Sequence, residues 1–123
     1  MLLDTYAWIE IFLDTEKGKK ATQLTKNKRI YTSVVTLSEI ISWCLRNNQN
    51  AQKFLSLIKE NSIIIYINDD VAEIAGTLNF EIKKKEKTFG MIDSLIYATA
   101  QIYSLKLLTG DKHFRNLDDV IML

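Results

Sequence analysis

The sequence predicts an α/β domain in which helices cover both faces of a parallel β-sheet. Apolar runs of strand length recur along the 123 residues, and none of them alternates with polar residues. Such runs are typical of strands that are buried on both faces of a parallel sheet. Segments with helical periodicity lie between the runs, which is the element order of an α/β fold. The predicted strands are Leu2–Asp4, Arg29–Thr32, Ile63–Ile67, Lys106–Thr109 and Val120–Leu123.

The segments between the strands contain apolar residues at helical spacing. The clearest helical pattern, at positions i, i+3, i+4, i+7 and i+11, consists of Val71, Ile74, Ala75, Leu78 and Ile82. Gly18 weakens the second predicted helix, because glycine is a poor helix former. Helical crossovers of this length connect parallel neighbours, and such sheets bind ligands beyond the carboxyl ends of their strands. The predicted helices are Thr5–Leu13, Glu16–Lys26, Leu37–Arg46, Ala51–Glu60, Asp70–Lys85 and Met91–Tyr103.

Length, composition and charge limit the classes of function. The chain has the length of one domain, which we expect to span residues 1–123. Hydrophobic residues make up 47% and charged residues 25% of the chain, which is close to the average for globular proteins and argues against disorder. The formal charge of +1 gives no global signature of a nucleic-acid binder, so any RNA contact must come from local patches.

The sequence contains no signal for export or membrane insertion. The N-terminus has no basic stretch followed by an apolar core, and the run Ile63–Ile67 is far shorter than a membrane span. The single cysteine, Cys44, cannot form an internal disulfide and lies in an apolar helical pattern. We therefore expect a cytoplasmic protein with no membrane partner.

Four acidic residues fall at the predicted carboxyl edge of the sheet. Asp4 ends the first strand, and Glu39 opens the helix after the second strand. Asp93 opens the helix before the fourth strand, and Asp111 follows that strand. Strand ends and the starts of the following helices share this edge, and Asp93 joins them if its helix runs back from it. We therefore expect all four carboxylates to lie close together.

Such a cluster predicts a metal site. At about 5 Å and an effective dielectric near 20, each pair of carboxylates repels by roughly 3 kcal/mol, which a cation must offset. Oxygen ligands select hard divalent ions such as Mg²⁺ or Mn²⁺. A bound ion of this kind can polarise a phosphate and activate water, so the implied chemistry is hydrolysis of a phosphodiester.

Each acid also has a structural interpretation that we favour when it is considered alone. The segment Thr36–Glu39 has the pattern of a capping box, with Val35 and Ile40 placed for a hydrophobic staple. Asp4 and Asp111 could be helix N-caps, and Asp93 could occupy a helix first turn. The metal-site prediction therefore depends on the convergence of all four residues and on their motif context.

The four acids occur in segments that resemble the signature blocks of PIN domains, in the same order and with matching spacing across essentially the whole chain. The resemblance is closest to the VapC-like toxins of toxin–antitoxin pairs, which are single PIN domains of about this size. The segments are LLDTYAWIE (Leu2–Glu10), TLSEI (Thr36–Ile40), IDSLIYATA (Ile92–Ala100) and LLTGDKHF (Leu107–Phe114).

The resemblance implies a fold and an activity. The sheet would have the strand order 3-2-1-4-5, and the protein would be an Mg²⁺- or Mn²⁺-dependent endoribonuclease. It would form a homodimer and be controlled by an antitoxin protein. Asp4, Glu39, Asp93 and Asp111 would form the acidic metal-binding set, with Asp4 and Asp93 as the usual direct ligands. Thr109 would help to hold metal or water, and Tyr6 stands where the family often has a small polar residue.

Several other residues are candidates for contact with RNA. The only histidine, His113, could contact a phosphate or assist proton transfer, although an exposed position on the turn after Asp111 is the favoured interpretation. Trp8, Phe12 and Trp43 could stack on bases, but Trp8 and Phe12 lie one helical turn apart, which favours packing inward or against a partner. Candidate cations for the RNA backbone are Lys83, Lys84, Lys85, Lys87, Lys112 and Arg115. An equally good interpretation of the four lysines of the run is that their positive charge complements the C-terminus of a helix.

Other functions remain open on the sequence. A solitary PIN nuclease in RNA processing would have the same motifs, and an adjacent antitoxin reading frame would distinguish the two. A non-catalytic regulatory domain is the alternative from another class. A phosphoacceptor receiver domain, the specific form of this alternative, fits poorly, because receivers place an acidic pair at the end of the first strand and Asp4 has no acidic neighbour. A haloacid-dehalogenase-type phosphatase also fits poorly, because it would require a second aspartate where Tyr6 stands.

Overall fold

A computed structural model describes residues 1–123 and contains five short strands and six α-helices. The strands are β1 (Leu2–Leu3), β2 (Tyr31–Ser33), β3 (Ile63–Ile65), β4 (Leu107–Thr109) and β5 (Val120–Met122). The helices are α1 (Thr5–Phe12), α2 (Glu16–Thr25), α3 (Val34–Arg46), α4 (Ala51–Asn61), α5 (Asp69–Lys83) and α6 (Met91–Ile102). A single 3-10 turn, Lys112–Phe114, lies between β4 and β5.

The five strands form one parallel sheet in the order β3-β2-β1-β4-β5. This confirms the predicted fold class and the strand order that the resemblance implied. The central strand β1 pairs with β4 in the register Leu2 to Leu107 and Leu3 to Leu108. Because all strands run in one direction, their carboxyl ends meet at one edge of the sheet, where the chain from β1 and from β4 emerges side by side.

Successive residues of the central strands belong to different apolar cores. Leu3 and Leu108 pack into the core formed with α1 to α4, whereas Leu2 and Leu107 pack into a second core with α6. All four leucines have no exposed surface, so both faces of the sheet are covered. This explains why successive residues of β1 and β4 are apolar instead of alternating with polar ones.

Aromatic residues of α1 join the first core, as predicted. Trp8 stacks on Phe12 with a centroid distance of 5.7 Å, and Phe12 stacks on Phe54 at 4.4 Å. The indole nitrogen of Trp8 donates a hydrogen bond of 3.1 Å to the hydroxyl of Thr32 in β2. These residues therefore attach α1 and α4 to the sheet, and Trp8 is too buried to stack on a base.

All predicted element boundaries lie within two residues of the observed ones, except the start of α3. This helix begins at Val34 directly after β2, three residues before the predicted start at Leu37. The prediction missed the first turn because Val34, Val35 and Thr36 are β-branched residues, which have low helix propensity. Tertiary packing overrides this propensity here.

The capping-box interpretation of Thr36 and Glu39 is consequently wrong. The N-cap of α3 is Ser33, and Thr36 lies inside the helix with its hydroxyl buried and without a hydrogen-bond partner. Glu39 lies in the second turn of the helix, where it caps nothing.

None of the helices is both long enough and apolar enough to cross a membrane.

Gly18, which weakened the prediction of α2, has a packing function. A Cβ atom at this position would lie 2.0 Å from the carbonyl oxygen of Glu10 in α1. The absence of a side chain thus allows the backbones of α1 and α2 to approach each other closely. Gly76 in α5 is different, because a Cβ atom there would meet nothing within 4 Å.

We predict opposite effects of alanine at these two helical glycines. Gly18→Ala should destabilise the protein by about 2 kcal/mol or more, because the clash involves main-chain atoms that cannot move aside. Gly76→Ala should stabilise it by up to about 1 kcal/mol, since alanine is the better helix former and has free space. Urea denaturation of both variants and the wild type measures these differences. A stabilised Gly18→Ala variant would contradict the close approach of α1 and α2.

Candidate active site

Asp4 lies at the centre of the carboxyl edge, directly after β1. It is the N-cap of α1, and its Oδ1 atom accepts a hydrogen bond of 2.9 Å from the amide of Ala7. Its Oδ2 atom accepts a hydrogen bond of 2.5 Å from the hydroxyl of Thr109. Only 3% of Asp4 is exposed. Both carboxyl oxygens are therefore held in place inside the protein.

Thr109, the last residue of β4, connects two of the acids. Its hydroxyl donates to Asp4 and accepts a hydrogen bond of 2.9 Å from the amide of Asp111. Asp111 in turn caps the 3-10 turn, since its Oδ1 atom accepts from the amide of His113 at 2.9 Å. The register of β1 against β4 thus determines where Asp4 and Asp111 lie relative to each other.

Glu39 extends from α3 toward the same edge. Its Oε1 atom accepts a hydrogen bond of 2.5 Å from the hydroxyl of Thr5, the first residue of α1. Burial raises the pKa of the Glu39 carboxyl, and the charges of Asp93 and Asp111 raise this pKa further. Glu39 is therefore part of the cluster, and it lies in the predicted helix, although in the second turn of α3 rather than at its start.

Asp93 enters from the first turn of α6, which begins at this edge as the prediction required. Its Oδ2 atom accepts a hydrogen bond of 3.2 Å from the amide of Gly90, the N-cap residue. The pKa of Asp93 is raised mainly by burial, and secondarily by the charge of Asp111, while hydrogen bonding by Gly90 and contact with His113 oppose this rise.

His113 belongs to the cluster, so the favoured interpretation of an exposed histidine is wrong. The Nδ1 atom of His113 lies 3.1 Å from Oδ2 of Asp93 and 3.5 Å from Oδ1 of Asp111. Its Nε2 atom lies 2.9 Å from the hydroxyl of Thr88, in the connection between α5 and α6. Only a third of its side chain is exposed. The sequence could not show this, because Thr88 and Asp93 are distant from His113 along the chain.

The four acids lie close enough to act on one another electrostatically, since the charges of Asp111 and Glu39 act on Asp4 and those of Asp93 and Asp111 act on Glu39. Burial is the largest cause of the raised pKa of Asp4, which reaches about 7, and the charges of Asp111 and Glu39 add to it. The hydrogen bonds from Thr109 and Ala7 lower this pKa but do not compensate for the burial. A carboxyl group with such a pKa marks a place where the metal-free protein tolerates negative charge poorly.

The donor atoms of the cluster fit a divalent cation. Asp93, Asp111 and His113 each offer a ligand atom, and these three atoms lie within 4.8 Å of one another. Carboxylate oxygens predominate, and such donors favour hard ions such as Mg²⁺ and Mn²⁺. No cysteine competes for the ion, since Cys44 is buried in the apolar core.

Two clefts border the acidic cluster on different sides. One, of about 330 Å³, includes Glu39 and Asp111 together with Tyr6, Trp43 and Arg46. The ring of Tyr6 packs so closely on Gly110 that a Cβ atom there would lie 2.2 Å from it.

The second cleft, of about 510 Å³, contains His113, Arg115 and Lys85 among its lining residues. Lys112 is exposed on the turn beside it. Sequence reasoning identified Lys85, Lys112 and Arg115 but missed Arg46 of the first cleft. Arg46 could have been found, because it lies two helical turns after Glu39 on the same face of α3.

We predict that Asp4→Asn stabilises the metal-free protein at neutral pH. Burial raises the pKa of Asp4 from 3.8 to about 7, so the folded protein holds this proton more tightly than the unfolded chain does. Stability should therefore fall as the pH rises from about 4 to about 7. The difference of about three pKa units corresponds to about 4 kcal/mol. Asparagine keeps the size of the side chain and an acceptor for the Ala7 amide, but it does not ionise.

The measurement is the free energy of unfolding in EDTA between pH 4 and 8. The Asp4→Asn variant should show a much shallower decline than the wild type. A remaining decline is expected, since burial also raises the pKa of Glu39 and of Asp93. Asp118→Asn is the matched control, because Asp118 is exposed and should leave the pH dependence unchanged. If the free energy of unfolding had the same pH dependence in the wild type and in Asp4→Asn, the raised pKa of Asp4 would be contradicted.

Comparison with solved structures gives relatives of the same fold. A chain of a toxin–antitoxin complex from Klebsiella pneumoniae is 27% identical with a TM-score of 0.77, over 98% of this chain and 95% of that chain. VapBC2 from Rickettsia felis, bound to a promoter DNA fragment, is 21% identical with a TM-score of 0.76, over 99% and 96%. The sarcin–ricin loop cleaving toxin VapC20 from Mycobacterium tuberculosis is 17% identical with a TM-score of 0.73, over 92% and 91%.

The search of curated protein sequences found no match. The family model described as PIN domain matches residues 1–120, which is nearly the whole chain and includes every acid of the cluster. The strand order and the segments that carry the acids had indicated the same assignment. This chain therefore belongs to the PIN-domain family.

Proposed function

We propose that this protein is an Mg²⁺- or Mn²⁺-dependent endoribonuclease and the toxin of a VapBC-type pair, acting in the cytoplasm. The observation that carries the proposal is the convergence of Asp4, Glu39, Asp93 and Asp111 at the carboxyl edge of the sheet, with Asp4 fully buried. Membership of the PIN-domain family supports a nuclease. The similarity to toxins of toxin–antitoxin pairs supports the toxin assignment.

The four acids are the proposed metal ligands and catalytic residues, with Asp4 and Asp93 as the direct ligands. When bound, a divalent ion supplies positive charge for the scissile phosphate and lowers the pKa of water. The role of Thr109 is to orient: its hydroxyl holds Oδ2 of Asp4, so that the carboxylate cannot rotate away. The hydroxyl of Thr5 donates a hydrogen bond to Oε1 of Glu39, so Oε2 can bind a proton or the ion.

RNA is the proposed substrate because cations and aromatic rings surround the cluster. Arg46 and Trp43 line one cleft and Arg115 lines the other, so a strand that crosses the acids would meet positive charge on both sides. Lys112 and His113 lie on the turn between the acids and Arg115. Such cations bind phosphates without reading sequence, and rings such as that of Trp43 can stack on bases.

We predict that purified protein cleaves RNA oligonucleotides in the presence of Mg²⁺ or Mn²⁺. Asp4→Asn and Asp93→Asn should each reduce cleavage at least 100-fold, since each removes a charge that holds the ion, and EDTA should abolish it. The measurement is fluorescence release from a mixed panel of RNA substrates. Asp118→Asn is the control and should retain full activity, because its side chain lies outside the cluster. Equal cleavage by the wild type and by both aspartate variants would show that the activity does not depend on these acids and would contradict the proposal.

A growth assay tests the toxin assignment. Expression of the wild type in a bacterial host should arrest growth, Asp4→Asn should not, and co-expression of a small reading frame adjacent to the gene should restore growth. The antitoxin should then copurify with the wild-type chain. A nuclease that is active in vitro, but causes no arrest and has no such neighbour, would instead be a solitary enzyme of RNA processing.

The proposed toxin is a homodimer, because apolar helix surface remains uncovered. Ile41 and Leu45 lie one turn apart on α3 and are 37% and 71% exposed, and Phe80 of α5 is 66% exposed. Light scattering should give twice the chain mass for the wild type. Ile41→Asp combined with Leu45→Asp should give the mass of one chain with unchanged secondary structure, and a monomeric wild type would contradict this assembly.

A further inference from the structure

We propose that His113 is a direct nitrogen ligand, through Nδ1, of the divalent ion held by Asp93 and Asp111. The inference rests on the metal site of the proposed function and adds a ligand to it. The site would then combine one imidazole with carboxylates, and it would favour Mn²⁺ over Mg²⁺ more strongly than an all-carboxylate site does.

The distances around His113 suit ligands of one ion. Nδ1 lies 3.1 Å from Oδ2 of Asp93 and 3.5 Å from Oδ1 of Asp111. Ions of this class bind their ligands at about 2.1 Å, so two ligands at a right angle lie roughly 3 Å apart. Nδ1 therefore lies at about the spacing of neighbouring corners of one coordination shell from each of the two carboxylate oxygens, and ligand atoms of all three residues lie within 4.8 Å of one another.

The hydrogen bonds on the far side of the ring determine which nitrogen holds the proton. The hydroxyl of Thr88 lies 3.0 Å from Oε1 of Glu86 and 2.9 Å from Nε2 of His113. This hydroxyl has one proton, and donation to a carboxylate is the stronger, charge-assisted choice. The Thr88 oxygen then accepts from Nε2–H. Metal-bound histidines are commonly held in this way, with the second ring nitrogen donating to a fixed acceptor.

This arrangement leaves the lone pair of Nδ1 beside two carboxylate oxygens. Nδ1 of His113, Oδ2 of Asp93 and Oδ1 of Asp111 then each direct a lone pair toward the same space. A cation between them satisfies all three. The competing arrangement is an imidazole protonated on both nitrogens, which would form ion pairs with the acids and bind no metal.

A nitrogen ligand has a predictable effect on metal preference. Mg²⁺ binds oxygen donors almost exclusively, whereas Mn²⁺ and the later metals accept imidazole. Two substitutions separate the contribution of Nδ1 to metal binding from that of Nε2. His113→Asn places an amide oxygen near the position of Nδ1, and His113→Gln places its amide near Nε2, within reach of Thr88.

The test is pulsed electron paramagnetic resonance of Mn²⁺ bound to the untagged chain. His113 is the only histidine, so a directly bound imidazole nitrogen can come from no other residue. We expect nitrogen modulation in the wild type and in Asp118→Asn, and its loss in His113→Asn and His113→Gln. Mn²⁺ affinity should fall about tenfold or more in His113→Gln, while His113→Asn should retain Mg²⁺ affinity within a few fold.

Thr88→Val provides a variant that keeps the ligand. Thr88 is exposed, so the fold should tolerate valine, and the loss of the Nε2 acceptor should weaken Mn²⁺ binding while nitrogen modulation persists. Mn²⁺ binding that is sensitive to Asp93→Asn but shows no nitrogen modulation would overturn the inference and leave the proposed nuclease intact. A wild-type chain that binds no Mn²⁺ would overturn both.

Discussion

The buried carboxyl group of Asp4 is the constraint on which the rest of the site depends. Its two oxygens are held by different parts of the chain, the amide of Ala7 in α1 and the hydroxyl of Thr109 at the end of β4. These bonds are possible only if α1 starts directly after β1 and if β1 and β4 are parallel neighbours in the observed register. A buried polar group without hydrogen-bond partners destabilises a protein. A change in the strand order would therefore also disrupt the acidic site.

Helix capping by these aspartates is compatible with the metal binding that we propose for them. The capping interpretation is correct for Asp4 and Asp111, and Asp93 accepts from the N-cap amide of Gly90. A cap uses one lone pair of a carboxylate that offers about four, so the remaining ones stay available for an ion. Capping also fixes the carboxylates before any ion arrives, which reduces the ordering that binding would otherwise require.

The sequence predicted the architecture well because apolar patterns are local. Unalternating runs located the strands, and the rule that parallel strands share a carboxyl edge brought Asp4 and Asp111 together. The observed order also differs from that of a receiver domain, whose first strand lies between the second and third. What sequence reasoning missed depends on contacts between distant segments: the Gly18 approach to Glu10, the His113 contacts and the early start of α3.

The distribution of positive charge bears on whether this cluster only stabilises the fold or also binds an ion. The ion pairs of the chain that involve lysine use Glu16, Glu81 and Asp119, all outside the site. No lysine or arginine pairs with the four acids, and His113 is the only ionisable base in contact with them. A network that served stability alone would offset such repulsion with a nearby cation, since buried like charges weaken the fold. The absence of such a cation supports the proposal that the acids bind a divalent ion.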